Sequence, residues 1–223
     1  VREHFGGFTA WDCDITTMIK PGQENWLHVV VTDRADDISY ASGYAHHPIG
    51  GILRNVQHII LPVHHIQRLY AYSTLENNYQ TGKLNLDLSL NQPGRHSKIE
   101  WNLVDPSGKT VYSHARSVQA DENGNAKDEV TIANIKKWTA ESPHLYKLKV
   151  NLLQNGKLQQ TVEQSLGLRK VEIDAKNNLL VNGKPVKLRG ACRHDMHPLL
   201  GRSTNRQQDS LDVILAKEAN LNF

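Results

Sequence analysis

The chain has 223 residues, of which 39% are apolar and 22% charged, with a formal charge of +3. That is long enough for one large domain or two small ones with real cores, and the mix is neither that of a disordered chain nor that of a membrane protein. No apolar run approaches the roughly 20 residues that cross a bilayer, and Lys and Arg are interspersed with Asp and Glu rather than gathered in a stripe, which argues against nucleic acid as a partner.

The chain starts at Val1 without Met, and the opening "VREHFGG" has no apolar leader. The expectation is that the natural N-terminus lies upstream, so periplasmic, secreted and cytoplasmic locations all stay open. "NWLHVVVTD" (25–33), preceded by the Pro21-Gly22 turn, predicts a strand from its β-branched and aromatic residues. "GGILRNVQHIILP" (50–62) predicts a second, opened by a glycine pair and closed by Pro62. "KLNLDLSLN" (83–91) alternates strictly, with Leu84, Leu86, Leu88 and Leu90 on one face, the mark of a half-buried strand. Hairpins are predicted from "KIEWNLVD" (98–105) through "PSGK" into "TVYSHARSVQA", and from "HLYKLKVNLLQ" (144–154) through "NGK" into "LQQTVEQSLGLR". Strand signals at intervals of about 8 to 12 residues point to antiparallel sandwiches.

Near residue 168 the pattern changes. Short strands turn at Asn182-Gly183, and then Leu211, Ile214, Leu215 and Ala219 recur at helical spacing among polar neighbours. The order strand, polar loop, helix, strand start is the opening of a βα repeat. The loop, "CRHDMHP" at 192–198, gathers Arg193, His194, Asp195 and His197. A loop after a strand lies on the face where α/β folds bind ligands. Imidazoles that both donate and accept, oriented by a carboxylate and a guanidinium, suit a polyhydroxylated ligand. Two other readings stay open: the residues cap a strand end, or Cys192, His194 and His197 serve as zinc ligands. Cys13 and Cys192 read as free thiols, because two cysteines make no disulfide framework.

"NLLVNGKPVKLRGACRHDMHPLLGR" (178–202) resembles the lead into the catalytic barrel of glycoside hydrolase family 2 enzymes of the β-galactosidase type. "WTAESPHLYKLKVNL" (138–152) resembles a stretch of that family's immunoglobulin-like domain, and "GGFTAWDCDIT" (6–16) and "GGILRNV" (50–56) resemble two stretches of its sugar-binding jelly roll. The motifs follow the family's order along the whole chain. One departs from it: the family usually has Asn where Cys192 stands.

The resemblance implies a mainly β fold, an immunoglobulin-like β-sandwich flanked by part of a jelly-roll sandwich and by the first βα unit of a (β/α)8 barrel. Its domains would be 1–68 (jelly roll), 69–168 (immunoglobulin-like) and 169–223 (start of the TIM barrel). It implies an internal fragment of a retaining β-glycosidase acting on terminal β-galactosides or related β-glycosides. In the family both catalytic Glu residues lie further along the barrel, the acid/base in an Asn-Glu pair, and this sequence has no such dipeptide. No catalytic residue and no metal site is therefore expected in the chain, which is expected to be inactive alone. Its implied substrate-binding residues are His197, which matches the family's sugar-binding histidine, with His194, Asp195 and Arg193 beside it. Tyr44, His46 and His47 fall where the jelly roll sends a loop toward the active site, without the Asp that often serves there. The implied partner is a carbohydrate substrate, with no nucleic acid and no membrane. A homo-oligomer and a divalent or monovalent cation are expectations for the parent enzyme, with no cofactor in this chain. A non-catalytic carbohydrate-binding sandwich is the alternative.

Overall fold

Along β2 (Thr81–Leu90) every second residue is buried, and Leu84, Leu86 and Leu88 are at most 1% exposed. The computed structural model describes residues 2–5, 10–32, 51–52, 55–92, 97–114, 120–201 and 204–223. It divides into two units, 1–60 and 61–223.

In the second unit β2 is the middle of a three-stranded antiparallel sheet between β1 (Ile66–Glu76) and β5 (Asn125–Ile132). A four-stranded antiparallel sheet takes the order β4 (Thr110–His114), β3 (Ser97–Val104), β6 (Tyr146–Gln154), β7 (Lys157–Leu166). The alternating residues of both sheets meet in one core that includes Leu86, Leu88, Ile99, Trp101, Leu148 and Val150. Burying each such side chain stabilises the fold by about 1.5–3 kcal/mol. Three plus four strands in this order, a buried Trp on β3 and a tyrosine at the start of β6 are the features of an immunoglobulin-like sandwich. Tyr146 supplies the corner: its hydroxyl accepts from the Lys136 amide at 2.8 Å.

The tight turns share one device. Asp105 Oδ1 accepts from the Ser107 and Lys109 amides, Asp121 Oδ1 from Asn123 and Asn125, and Asp174 Oδ1 from Lys176 and Asn178. These bonds lower all three carboxyl pKa values; the largest contribution comes from the side chain of Ser107, the backbone of Asn125 and the side chain of Asn178 respectively.

Two predicted strands are absent from the described residues. Residues 25–32 and 55–62 carry no strand, and Val30 is 88% and Ile60 83% exposed. A strand exists only as half of a hydrogen-bonded ladder, and among the described residues of 2–65 no partner strand is present. Conversely, the sequence reading passed over β1 and β5. β5 offers few apolar residues, and its inward Asp128 is accommodated by accepting the Trp101 indole N–H at 2.8 Å. In β1 an irregularity between Ile66 and Arg68 shifts the register, and Tyr70 and Tyr72 face outward.

Beyond the sandwich, β8 (Val171–Ile173), β9 (Leu179–Val181) and β10 (Lys184–Pro185) form a small antiparallel sheet. The one helix among the described residues, α1 (Arg206–Glu218), begins at a capping box: the Asn205 side chain accepts from the Gln207 and Gln208 amides while the Gln208 side chain accepts from the Asn205 amide.

Candidate functional site

After β10 the chain passes through 187–190 into the polar loop 191–201, and α1 leads to 221–223. The return is fixed beside the outgoing segment. The Asn222 and Phe223 amides both donate to the Arg189 carbonyl, and the Asn222 side chain accepts from the Arg189 amide and donates to the Lys187 carbonyl. A Cβ on Gly190 would fall 2.5 Å from the Phe223 carbonyl oxygen, so only glycine permits this approach. The predicted polar loop and helix are thus present, but the flanking segments are not strands: β10 ends at Pro185, and 186–190 and 221–223 carry no ladder, since each lacks the full set of backbone partners that a strand needs.

Within the loop, Arg193 is the organising group. Its Nε donates to Asp212 Oδ2 at 2.7 Å, one terminal nitrogen donates to Asp195, and the other donates to Asp209 Oδ1 at 2.7 Å. Asp209 and Asp212 stand three residues apart in the first turns of α1, on one helix face. Their bonds, Asp212 first, raise the Arg193 pKa further. A planar fork matched to three carboxylates fastens the loop to the helix N-terminal end. The sequence reading identified Arg193 and Asp195 but missed Asp209 and Asp212, although two acids at i and i+3 after an arginine-bearing loop were a signal for them.

His197 closes a turn. Its amide donates to the Gly201 carbonyl at 2.6 Å and the Gly201 amide returns the bond at 2.9 Å. Its Nδ1 accepts from the Leu199 amide at 3.2 Å. That bond puts the proton of a neutral ring on Nε2. Gly201, at φ +65°, makes the left-handed step that the turn requires. His194 is exposed, and its carbonyl accepts from the Met196 amide. Cys192 and Cys13 are exposed free thiols. Among the described residues no three His, Cys, Asp or Glu side chains are gathered as they would be around a metal ion, so Cys192, His194 and His197 are not brought together. Tyr44, His46, His47 and Arg202 lie outside the described residues.

With this geometry in place, the comparisons are informative. Residues 64–169 match the family model described as glycosyl hydrolases family 2, and residues 171–223 match that of the family's TIM barrel domain. A β-galactosidase of Vibrio vulnificus (strain CMCP6) is 32% identical over 226 residues, covering 94% of this chain and 21% of that protein. A putative β-glucuronidase of Formosa agariphila is 31% identical over 222 residues, covering 99% of this chain and 26% of that protein. A solved β-glucuronidase of Parabacteroides merdae superposes with a TM-score of 0.70 at 23% identity, over 79% of this chain and 22% of that one, a likeness of fold. The chain thus spans about a fifth to a quarter of the length of these relatives.

Proposed function

Because the chain belongs to glycosyl hydrolase family 2, we propose that it is part of a retaining β-glycosidase acting on terminal β-galactosides, and that its loop 193–201 forms one wall of the sugar site. The observation that carries this reading is the placing of His194 and His197 on the loop between the outgoing segment 187–190 and α1, in the stretch that matches the family's barrel domain.

In this reading the histidines bind and the carboxylates of the loop do not react. His197 Nδ1 is engaged by the Leu199 amide, so Nε2–H is the atom left to donate to a sugar hydroxyl. Such a bond strengthens as the ring distorts toward the oxocarbenium-like transition state. Asp195 holds Arg193, and Arg193 holds α1 through Asp209 and Asp212, so these residues position the histidines rather than take part in the chemistry. Retention needs a nucleophile and an acid/base about 5 Å apart, both free to reach the anomeric centre. With Asp195, Asp209 and Asp212 all turned to one guanidinium, and no Asn-Glu dipeptide in the sequence, the reacting Glu pair is assigned to the protein outside these 223 residues.

The test compares this chain with the complete protein that contains it, on nitrophenyl β-galactoside and nitrophenyl β-glucuronide. The expected result is turnover of the galactoside by the complete protein alone. Preference for the glucuronide would move the assignment to the other activity named among its relatives, and turnover by the 223-residue chain would return the catalytic role to this loop. In the complete protein His197→Asn should lower kcat/KM about two- to tenfold with both limbs of the pH profile kept, the cost of one neutral hydrogen bond. Loss of a whole limb would make His197 a proton-transfer residue.

A further inference from the structure

The hairpin β8–β10 leads from the sandwich to the sugar-facing loop, and it is fastened more firmly than a simple turn requires. Asn182 and Gly183 form its turn with φ +52° and +75°, a type I′ pattern that forms readily with the asparagine side chain in water. Here Asn182 is instead buried, at 8% exposure. Its Nδ2 donates to the Trp138 carbonyl at 2.9 Å and its Oδ1 accepts from the Lys170 amide at 3.0 Å. Its own amide donates to the Lys170 carbonyl at 2.9 Å. One side chain thus ties the turn both to the loop at 138 and to the connecting peptide.

A second fastening comes from the turn between β1 and β2. Asn77, Asn78 and Tyr79 are consecutive non-glycine residues with φ of 50°, 55° and 63°. The left-handed region is unfavourable for each, most of all for tyrosine, and three in succession persist only where surrounding contacts compensate. Those contacts are on the hairpin. The Tyr79 ring lies so close over Gly183 that a Cβ there would fall 2.5 Å from it. The Tyr79 hydroxyl donates to Glu172 Oε1 at 2.8 Å, and Lys170 Nζ meets the same carboxylate at 2.6 Å. Only eight positions separate Pro185 from Arg193, and the intervening Lys187 and Arg189 are bonded to Asn222. A tilt of the hairpin is therefore carried into the loop.

We propose that Tyr79 and Asn182 are positioning residues that lock the lead-in hairpin to the sandwich and so set where His194 and His197 meet the sugar. The role in sugar binding rests on the function proposed above; the lock itself does not. The immunoglobulin-like domain is then the reference frame for the binding wall, and its β1–β2 turn is the point of attachment.

The experiment has two arms, using Tyr79→Ala, Tyr79→Phe and Asn182→Ala. In the 223-residue chain, amide exchange is followed at Lys170 and Asn182 against the core amides of Leu86 and Leu148. Tyr79→Ala and Asn182→Ala should speed exchange at 170 and 182 about tenfold or more and leave the core amides unchanged, because only the joint opens. Tyr79→Phe, which keeps the ring over Gly183, should have a smaller effect and serves if Asn182→Ala does not fold. Unchanged exchange at 170 and 182 in the alanine variants overturns the lock. In the complete protein, the alanine variants should raise KM for the galactoside severalfold, about three- to tenfold, and lower kcat as well, since a displaced binding wall weakens the ground state and also loses the bond that strengthens in the transition state. Faster exchange with unchanged KM would leave the joint structural only and overturn the positioning role. A complete protein inactive on every β-glycoside would sink the functional reading, while the exchange arm still decides the lock.

Discussion

Residues 25–32 and 83–90 are equally convincing strands on paper, and only the second is one. "NWLHVVVT" is the richer in β-branched residues, yet Val30 is 88% exposed and no ladder forms among the described residues; "KLNLDLSL" is an alternation of leucine with polar residues, and Leu86 is 1% exposed between β1 and β5. Strand propensity is a fit to a pleated, half-buried surface, and the surface must be supplied by another segment. β2 has it on both edges and on its inner face. The difference lies in partners, not in residue preference.

The sharpest way to break that comparison is by truncation at matched sites. Leu86→Ala should cost about 2–5 kcal/mol, read as a lowered urea midpoint, because it empties a closed core. Val30→Ala should fall within about 0.5 kcal/mol of the parent chain, because it removes no packing. Equal losses would mean that 25–32 is packed after all. A smaller effect tests the sandwich alone. Tyr146→Phe deletes the hydroxyl that accepts the Lys136 amide and should cost about 1–3 kcal/mol, since a part-buried donor loses its acceptor. No loss in denaturant unfolding would show the corner to be incidental.

The smallest effect concerns the turns that join paired strands. In the folded chain hydrogen bonds, chiefly from the Ser107 side chain, the Asn125 backbone and the Asn178 side chain, hold the pKa values of Asp105, Asp121 and Asp174 below the ordinary aspartate value. A carboxyl with a depressed folded pKa contributes stability that is fully present above its unfolded value and lost as pH falls through that value toward the folded one. The chain should therefore unfold more easily at about pH 3 than at about pH 6. Asp121→Asn keeps an acceptor oxygen for Asn123 and Asn125 but cannot titrate, so it should flatten part of that decline. An unchanged pH profile of the urea midpoint would remove Asp121 from the account.

The local elements of this protein were determined by short-range sequence. The alternation of β2 declared its inner face, the Pro106–Lys109, Asn155-Gly156 and Asn182-Gly183 segments declared their turns, and Leu211, Ile214, Leu215 and Ala219 at helical spacing declared α1. The loop bearing His194, Asp195 and His197 was legible too, because a polar cluster between a strand signal and a helix signal needs no distant partner to be noticed. What only the tertiary structure decided is which segments face each other. It left 25–32 without a ladder and made a strand of 125–132 by giving Asp128 the Trp101 indole N–H to accept. It bonded Arg193 to Asp209 and Asp212, partners not identified from the sequence, and it buried Asn182 against Trp138. Periodicity and turn chemistry are written within a few consecutive residues. Hydrogen-bond and ion-pair partners lie up to 96 positions apart here, as for Ser73 and Arg169, and exist only once the chain has brought them together.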